Sequence, residues 1–183
     1  NTQITGNIAS SQITSNPTFY GNVSVTGVIA VGGATTSTSG SGISFPATQS
    51  ASSDANTLDD YEEGTWTPVL SGATTTTYTS QTGTYTKIGR KVSGYGAITI
   101  NAIGNGSTTV ISGLPFTVAS ASQGSVTPSY QGSLSTAIVS LGGYTSGTSI
   151  TFRSRTAASV SEGSSAIFTS GTVLEFTFEY IVG

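Results

Sequence analysis

From Leu174 to Tyr180 the chain alternates without a break: Leu174, Phe176, Phe178 and Tyr180 fall on one parity, Glu175, Thr177 and Glu179 on the other. A period of two sends successive side chains to opposite faces of a strand, so this stretch is a half-buried β-strand. The same rhythm recurs upstream. Val92, Gly94, Gly96, Ile98 and Ile100 share one face, opposed by Ser93, Tyr95, Ala97 and Thr99, and this run is joined to Thr82–Ile88 through Gly89-Arg90-Lys91 as a hairpin. The inner-face glycines leave room for a bulky neighbour, for which Tyr85 and Trp66 are the candidates. Thr108–Ser112, Phe116–Ala119, Ser125–Tyr130, Ala137–Leu141 and Ser149–Arg155 continue the series, with Arg153 and Arg155 facing outward. No segment sustains a helical period. Short strands at regular intervals predict an antiparallel β-sandwich of jelly-roll type over residues 69–183.

The first 45 residues read differently. Gln3-Ile4-Thr5-Gly6-Asn7 is echoed by Gln12-Ile13-Thr14-Ser15-Asn16, and Val23 and Val25 alternate with polar residues before Gly27, predicting two short strands around that glycine. Ile4, Ile8, Ile13, Val23, Val25, Val28 and Val31 are too sparse to build a core in one chain. Several parallel chains, each supplying part of every layer, could bury them, and three-fold symmetry is the simplest closed arrangement. Residues 1–45 are therefore expected to form a thin trimeric shaft or arm, with a flexible Ser/Gly linker as the alternative. Within the Thr/Ser/Gly-rich stretch from Ala34 to Ser53, Ile43-Ser44-Phe45-Pro46 is an apolar island expected to dock on a neighbour. The absence of Met, even at position 1, suggests a piece of a longer chain, with a processed chain as the alternative.

Only 7% of residues are charged, and five of the eight carboxylates lie between Asp54 and Glu63, directly before the only Trp, Trp66. Residues 46–68 thus form an acidic neck or connector. Oxygen-rich loops suit a hard cation, which makes Asp54, Asn56, Asp59 and Asp60 candidate ligands, although Leu58 breaks the calcium-loop spacing. The alternatives are a solvated collar and one paired with the Arg90/Lys91 hairpin tip.

The net charge of −3, with five basic residues, argues against a nucleic-acid partner. No uninterrupted apolar run reaches the roughly 18–20 residues of a membrane-spanning helix, so no membrane insertion is expected. Without His or Cys, general-base, thiolate and common metal chemistry are absent, and only carboxylates could catalyse. A glycosidase would need two of them held at a set separation, which a loop does not provide, so no enzyme is expected and no cofactor beyond a structural cation. Tyr78, Tyr85, Tyr95, Tyr130 and Tyr144 offer rings that could stack on sugars, though core positions suit most of them.

The segments FPATQSASSDANTLDDYEEGTWTPVL (45–70) and GTYTKIGRKVSGYGAITI (83–100), with GNVSVTGVIAVGG upstream, resemble a module of tailed-phage virion proteins, especially fibre proteins. The resemblance implies a structural protein on the virion surface, commonly a homotrimer, contacting other virion proteins and displaying its head for attachment to a host-surface glycan. A capsid decoration or cement protein is the alternative within virions, and a polysaccharide depolymerase the alternative from another class. In such a trimer three copies of five acids would crowd one axis, so the window is expected to mark the neck where chains diverge. Trp66 would pin that neck to the first strand of each head.

Overall fold

A computed structural model describes residues 23–36, 39–49, 52–54, 56–120, 123–135, 138–157 and 166–183. The chain is all-β, with eleven strands and no helix among the described residues. β1 (Val28–Ala30) and β2 (Gly42–Ser44) form a small parallel pair in which Ile29 faces Ile43. This corrects the expectation of two strands around Gly27. Only the segment after Gly27 is a strand, and its partner is the island at Ile43, because Val23 and Val25 have no strand beside them among the described residues.

The remaining strands are β3 (Tyr61–Trp66), β4 (Val69–Leu70), β5 (Thr77–Ile88), β6 (Lys91–Ala102), β7 (Val110–Ser112), β8 (Ser125–Gly132), β9 (Ile138–Ser146), β10 (Ser149–Thr156) and β11 (Val173–Ile181). They form one nine-stranded sheet in the order β3-β5-β6-β11-β8-β9-β10-β7-β4, antiparallel at every step. Its two edges, β3 and β4, are consecutive in sequence and separated by Thr67 and Pro68 alone. Three Cα steps span at most about 11 Å, close to the roughly 10 Å between packed sheet faces. The sheet must therefore curl until its edges meet. The sandwich is a single sheet folded on itself, and the chain changes layer at Pro68, which has no N–H to leave unpaired.

The fold line runs between β8 and β9, which pair only at Ser125–Tyr144 and Val126–Gly143. On one side Ile98, Ile100, Leu174 and Phe176 point inward; on the other Leu70, Ile111, Ile150 and Phe152 meet them, with Ile167 and Phe168 between. The Phe152 ring lies 5.4 Å from Phe176 and 5.5 Å from Phe168, both edge-on. Burying each such side chain contributes roughly 1.5–3 kcal/mol.

Register explains the glycines. One row across the sheet runs Trp66, Gly83, Gly96, Phe176, and the next runs Gly64, Tyr85, Gly94, Phe178. Each aromatic ring lies over a neighbouring glycine, where a Cβ would come within 2.3 Å of Trp66 Nε1 at Gly83, 2.3 Å of Phe178 Cζ at Gly94 and 2.5 Å of Tyr85 Oη at Gly64. Trp66 does fill the space over the β6 glycines, at Gly96, whereas Tyr85 covers Gly64 and leaves Gly94 to Phe178. The β5–β6 turn is the two residues Gly89-Arg90, with Gly89 at φ 54°, the conformation glycine adopts without strain.

Two sequence expectations change here. Phe116–Ala119 is not a strand, since it contributes only the single bridge Val118–Val182. The sheet also begins at Tyr61, inside the stretch 46–68 expected to be connector, because β3 is fully laddered to β5.

Candidate functional site

The acidic window is divided by the pleat of β3. Asp60, Glu62, Gly64 and Trp66 fall on the inner parity, and Tyr61, Glu63 and Thr65 face outward. At the inner end of the sandwich, Asp60 meets Lys87, and both are buried. Lys87 follows Gly83 and Tyr85 on the inner parity of β5. Its ammonium also lies 5.5 Å from the centroid of Phe116 and 3.4 Å from Gln49 Oε1. The Glu62 carboxylate accepts the Tyr85 hydroxyl, an interaction that pushes the Tyr85 pKa up to about 12. Outside, Glu63 accepts the Tyr61 hydroxyl and so raises its pKa.

The candidate cation ligands go their separate ways. Asp54 Oδ1 accepts the Asn56 backbone N–H at 2.9 Å, a local turn. Asp59 accepts the Ser52 N–H at 2.9 Å and Gln49 Nε2 at 3.2 Å; the Ser52 contact is the main cause of an Asp59 pKa below the usual carboxylate value. Asp60 is committed to Lys87. Among the described residues no group of three potential ligands converges on one point. The hairpin-tip pairing is corrected too. Lys91 bonds Glu179 at 2.8 Å, and Arg90 Nε donates to the Val182 carbonyl at 3.0 Å, while the acid window draws on Lys87.

Of the residues expected to drive assembly, Ile4, Ile8 and Ile13 lie outside the described residues. Val23 is 61% and Val25 48% exposed, Val31 is exposed, and Val28 is half-buried. Ile29, Ile43 and Leu58 are exposed as well, so among the described residues six of the ten exposed large apolar side chains precede β3. Trp66 behaves otherwise. Its indole N–H donates to the Tyr95 carbonyl at 2.9 Å, and its ring packs edge-on against Phe176 and Phe178 at 6.2 and 5.5 Å. Trp66 is thus a core residue on the sheet's own edge strand and fastens that strand rather than an axis.

The tyrosines divide between core and surface. Tyr78 accepts the Leu70 N–H at 2.8 Å and packs against the core, as does Tyr85. Tyr180 is buried, which pushes its pKa up to about 12. Tyr95, Tyr130 and Tyr144 lie on outward parities. Tyr95 sits beside Glu175, with partial burial first and the Glu175 hydrogen bond second in raising its pKa; Tyr130 is 56% exposed; Tyr144 stands against Arg153. Sequence reading missed Lys87 as an inward residue. The signal was present in its parity with Gly83 and Tyr85, but a lysine on that parity is read as a surface residue until an acid is seen to meet it.

No protein-family model matches the chain, and no curated protein matches it. Among solved structures it is similar to the Dettilon tailspike protein, with a TM-score of 0.53 and 16% identity over 66% of this chain. The match spans 24% of that chain, so the likeness is one of fold, between this β-sandwich and part of a tailspike.

Proposed function

We propose that the chain is a structural bacteriophage virion protein of fibre type, whose sandwich is carried on a self-associating N-terminal segment and displayed for attachment to the host surface. The observation that carries this reading is the sandwich fold held in common with part of a tailspike protein. The exposed apolar side chains before β3 support the assembly part. Val23, Val25, Ile29 and Ile43 would each gain roughly 1.5–3 kcal/mol by burial in a bundle of parallel chains, and a homotrimer is the simplest closed one. The reading is not an enzymatic one, and its support is the absence of His and Cys from the sequence.

Sedimentation equilibrium of the whole chain tests assembly: a trimer has a mass of about 55 kDa, three times the 18.3 kDa of one chain. Changing Val23 and Val25 to Asp should reduce that mass while leaving the Trp66 fluorescence of a folded head. A monomer for the unaltered chain rejects the trimer. Antibody labelling of intact virions tests placement, and label over the capsid would favour a decoration protein instead.

A further inference from the structure

The outward face of β10 carries Thr151, Arg153 and Arg155, while Ile150, Phe152 and Ser154 are buried beneath it. Opposite them on β9 stand Tyr144, Gly142 and Ser140 in register. The Arg153 guanidinium lies 5.2 Å from the centroid of the Tyr144 ring. Its hydrogen bond, followed by one from Thr151, lowers the pKa of the Tyr144 hydroxyl. Between Tyr144 and Ser140 the sheet floor is bare, because a Cβ on Gly142 would meet no atom within 4 Å. Alternate residues of a strand are about 7 Å apart, so Arg153 and Arg155 rise side by side from the strand that faces Gly142 and Ser140, and the Tyr144 ring stands at one end of this notch.

Among the described residues no carboxylate is paired with this notch. Every carboxylate among the described residues already accepts a hydrogen bond from its own chain: Asp54, Asp59, Asp60, Glu62 and Glu63 as described above, Glu175 from Tyr95, and Glu179 from Lys91. Arg153 and Arg155 form no ion pair among the described residues. The acidic window of a second copy is a poor occupant for the same reason, since its carboxylates are engaged. An external anion is a better one.

We propose that the notch formed by Gly142, Tyr144, Arg153 and Arg155 binds carboxylate-bearing sugars of an acidic polysaccharide. The planar guanidinium fork matches a carboxylate in two parallel hydrogen bonds. The Tyr144 ring holds the Arg153 guanidinium in place, and the missing side chain at position 142 admits the sugar beside it. This inference rests on the adhesion reading above and gives it a ligand class.

The test is titration of the whole protein with alginate, polygalacturonate and hyaluronan, against dextran and dextran sulfate. At least one carboxylated polymer should bind, more weakly as salt is added, and more tightly than either dextran. The R153Q/R155Q variant should lose about tenfold or more in affinity. Gly142→Val should block the notch with little change in melting temperature, because a Cβ at this position meets no atom within 4 Å. Preference for dextran sulfate, or unchanged binding in both variants, overturns the notch as a carboxylate site while leaving adhesion standing. Binding to none of the three carboxylated polymers overturns the inference; the adhesion reading itself falls only if the protein also fails to bind host cells.

Discussion

Lys87→Met tests whether the acidic connector is seated on the head. The substitution keeps length and volume but removes the ammonium from Asp60, which is 4% exposed. Leaving one member of a buried ion pair without its partner costs about 3–5 kcal/mol. The cation–π contact with Phe116, at 5.5 Å, is lost with it and is worth about 0.5–2 kcal/mol within that total. Asp60→Asn should also destabilise, by leaving Lys87 buried without its acid. The double variant removes both charges, so it should be less destabilised than the sum of the singles, with a coupling of about 2–3 kcal/mol. Urea unfolding followed by fluorescence of the single Trp, at fixed protein concentration, reads all four proteins. With a slope near 2 kcal/mol/M, Lys87→Met should lower the midpoint by about 1.5–2.5 M. If each single variant costs under about 1 kcal/mol and the two effects add, the pair behaves as a hydrated surface bridge, and the seating of Asp60 against the sandwich is refuted.

Gly96→Ala should cost about 1–3 kcal/mol through overpacking, since its Cβ would lie 2.5 Å from Phe176 Cζ and 2.9 Å from Trp66 Cζ2, whereas Gly142→Ala, with nothing within 4 Å, should stay within about 0.5 kcal/mol; equal melting temperatures for the two would contradict the aromatic–glycine packing. Tyr85 and Tyr180 have pKa values raised from 10 to about 12. The folded state therefore keeps two protons that the unfolded chain releases, so this stabilisation is present below pH 10 and is lost as pH rises toward 12. Urea midpoints should fall between about pH 9 and about pH 11, less steeply in Tyr85→Phe, and an unchanged slope in that variant would disown the Glu62–Tyr85 bond as its cause. Trp66→Leu should expose the β3 edge and lower stability by about 3 kcal/mol, measured by calorimetry; a loss of trimer mass with an intact head would instead place Trp66 at an interface.

Alternation is a local property, and what it governs was legible residue by residue. The inward set Leu174, Phe176, Phe178 and Tyr180, the β6 faces, the glycine turn at Gly89 and the outward Arg153 and Arg155 each follow from parity or turn chemistry within a few residues. Pairing is not local. That Gly96 lies beneath Phe176 and Trp66, that Ile43 partners Ile29, and that Phe116–Ala119 supplies one bridge instead of a strand were all settled by which segments lie side by side. The notch has the same origin: Gly142 faces Arg153 only because β9 and β10 adopt one register, and a slip by one residue would turn Tyr144 inward. So does the connector seat. The sequence clusters acids before Trp66, but Asp60 lies at the end of β3 away from Thr67–Pro68, where the β3–β5 ladder sets Lys87 beside it and Phe116 and Gln49 come against the ammonium; a charge pair is buried only where distant segments complete its cover.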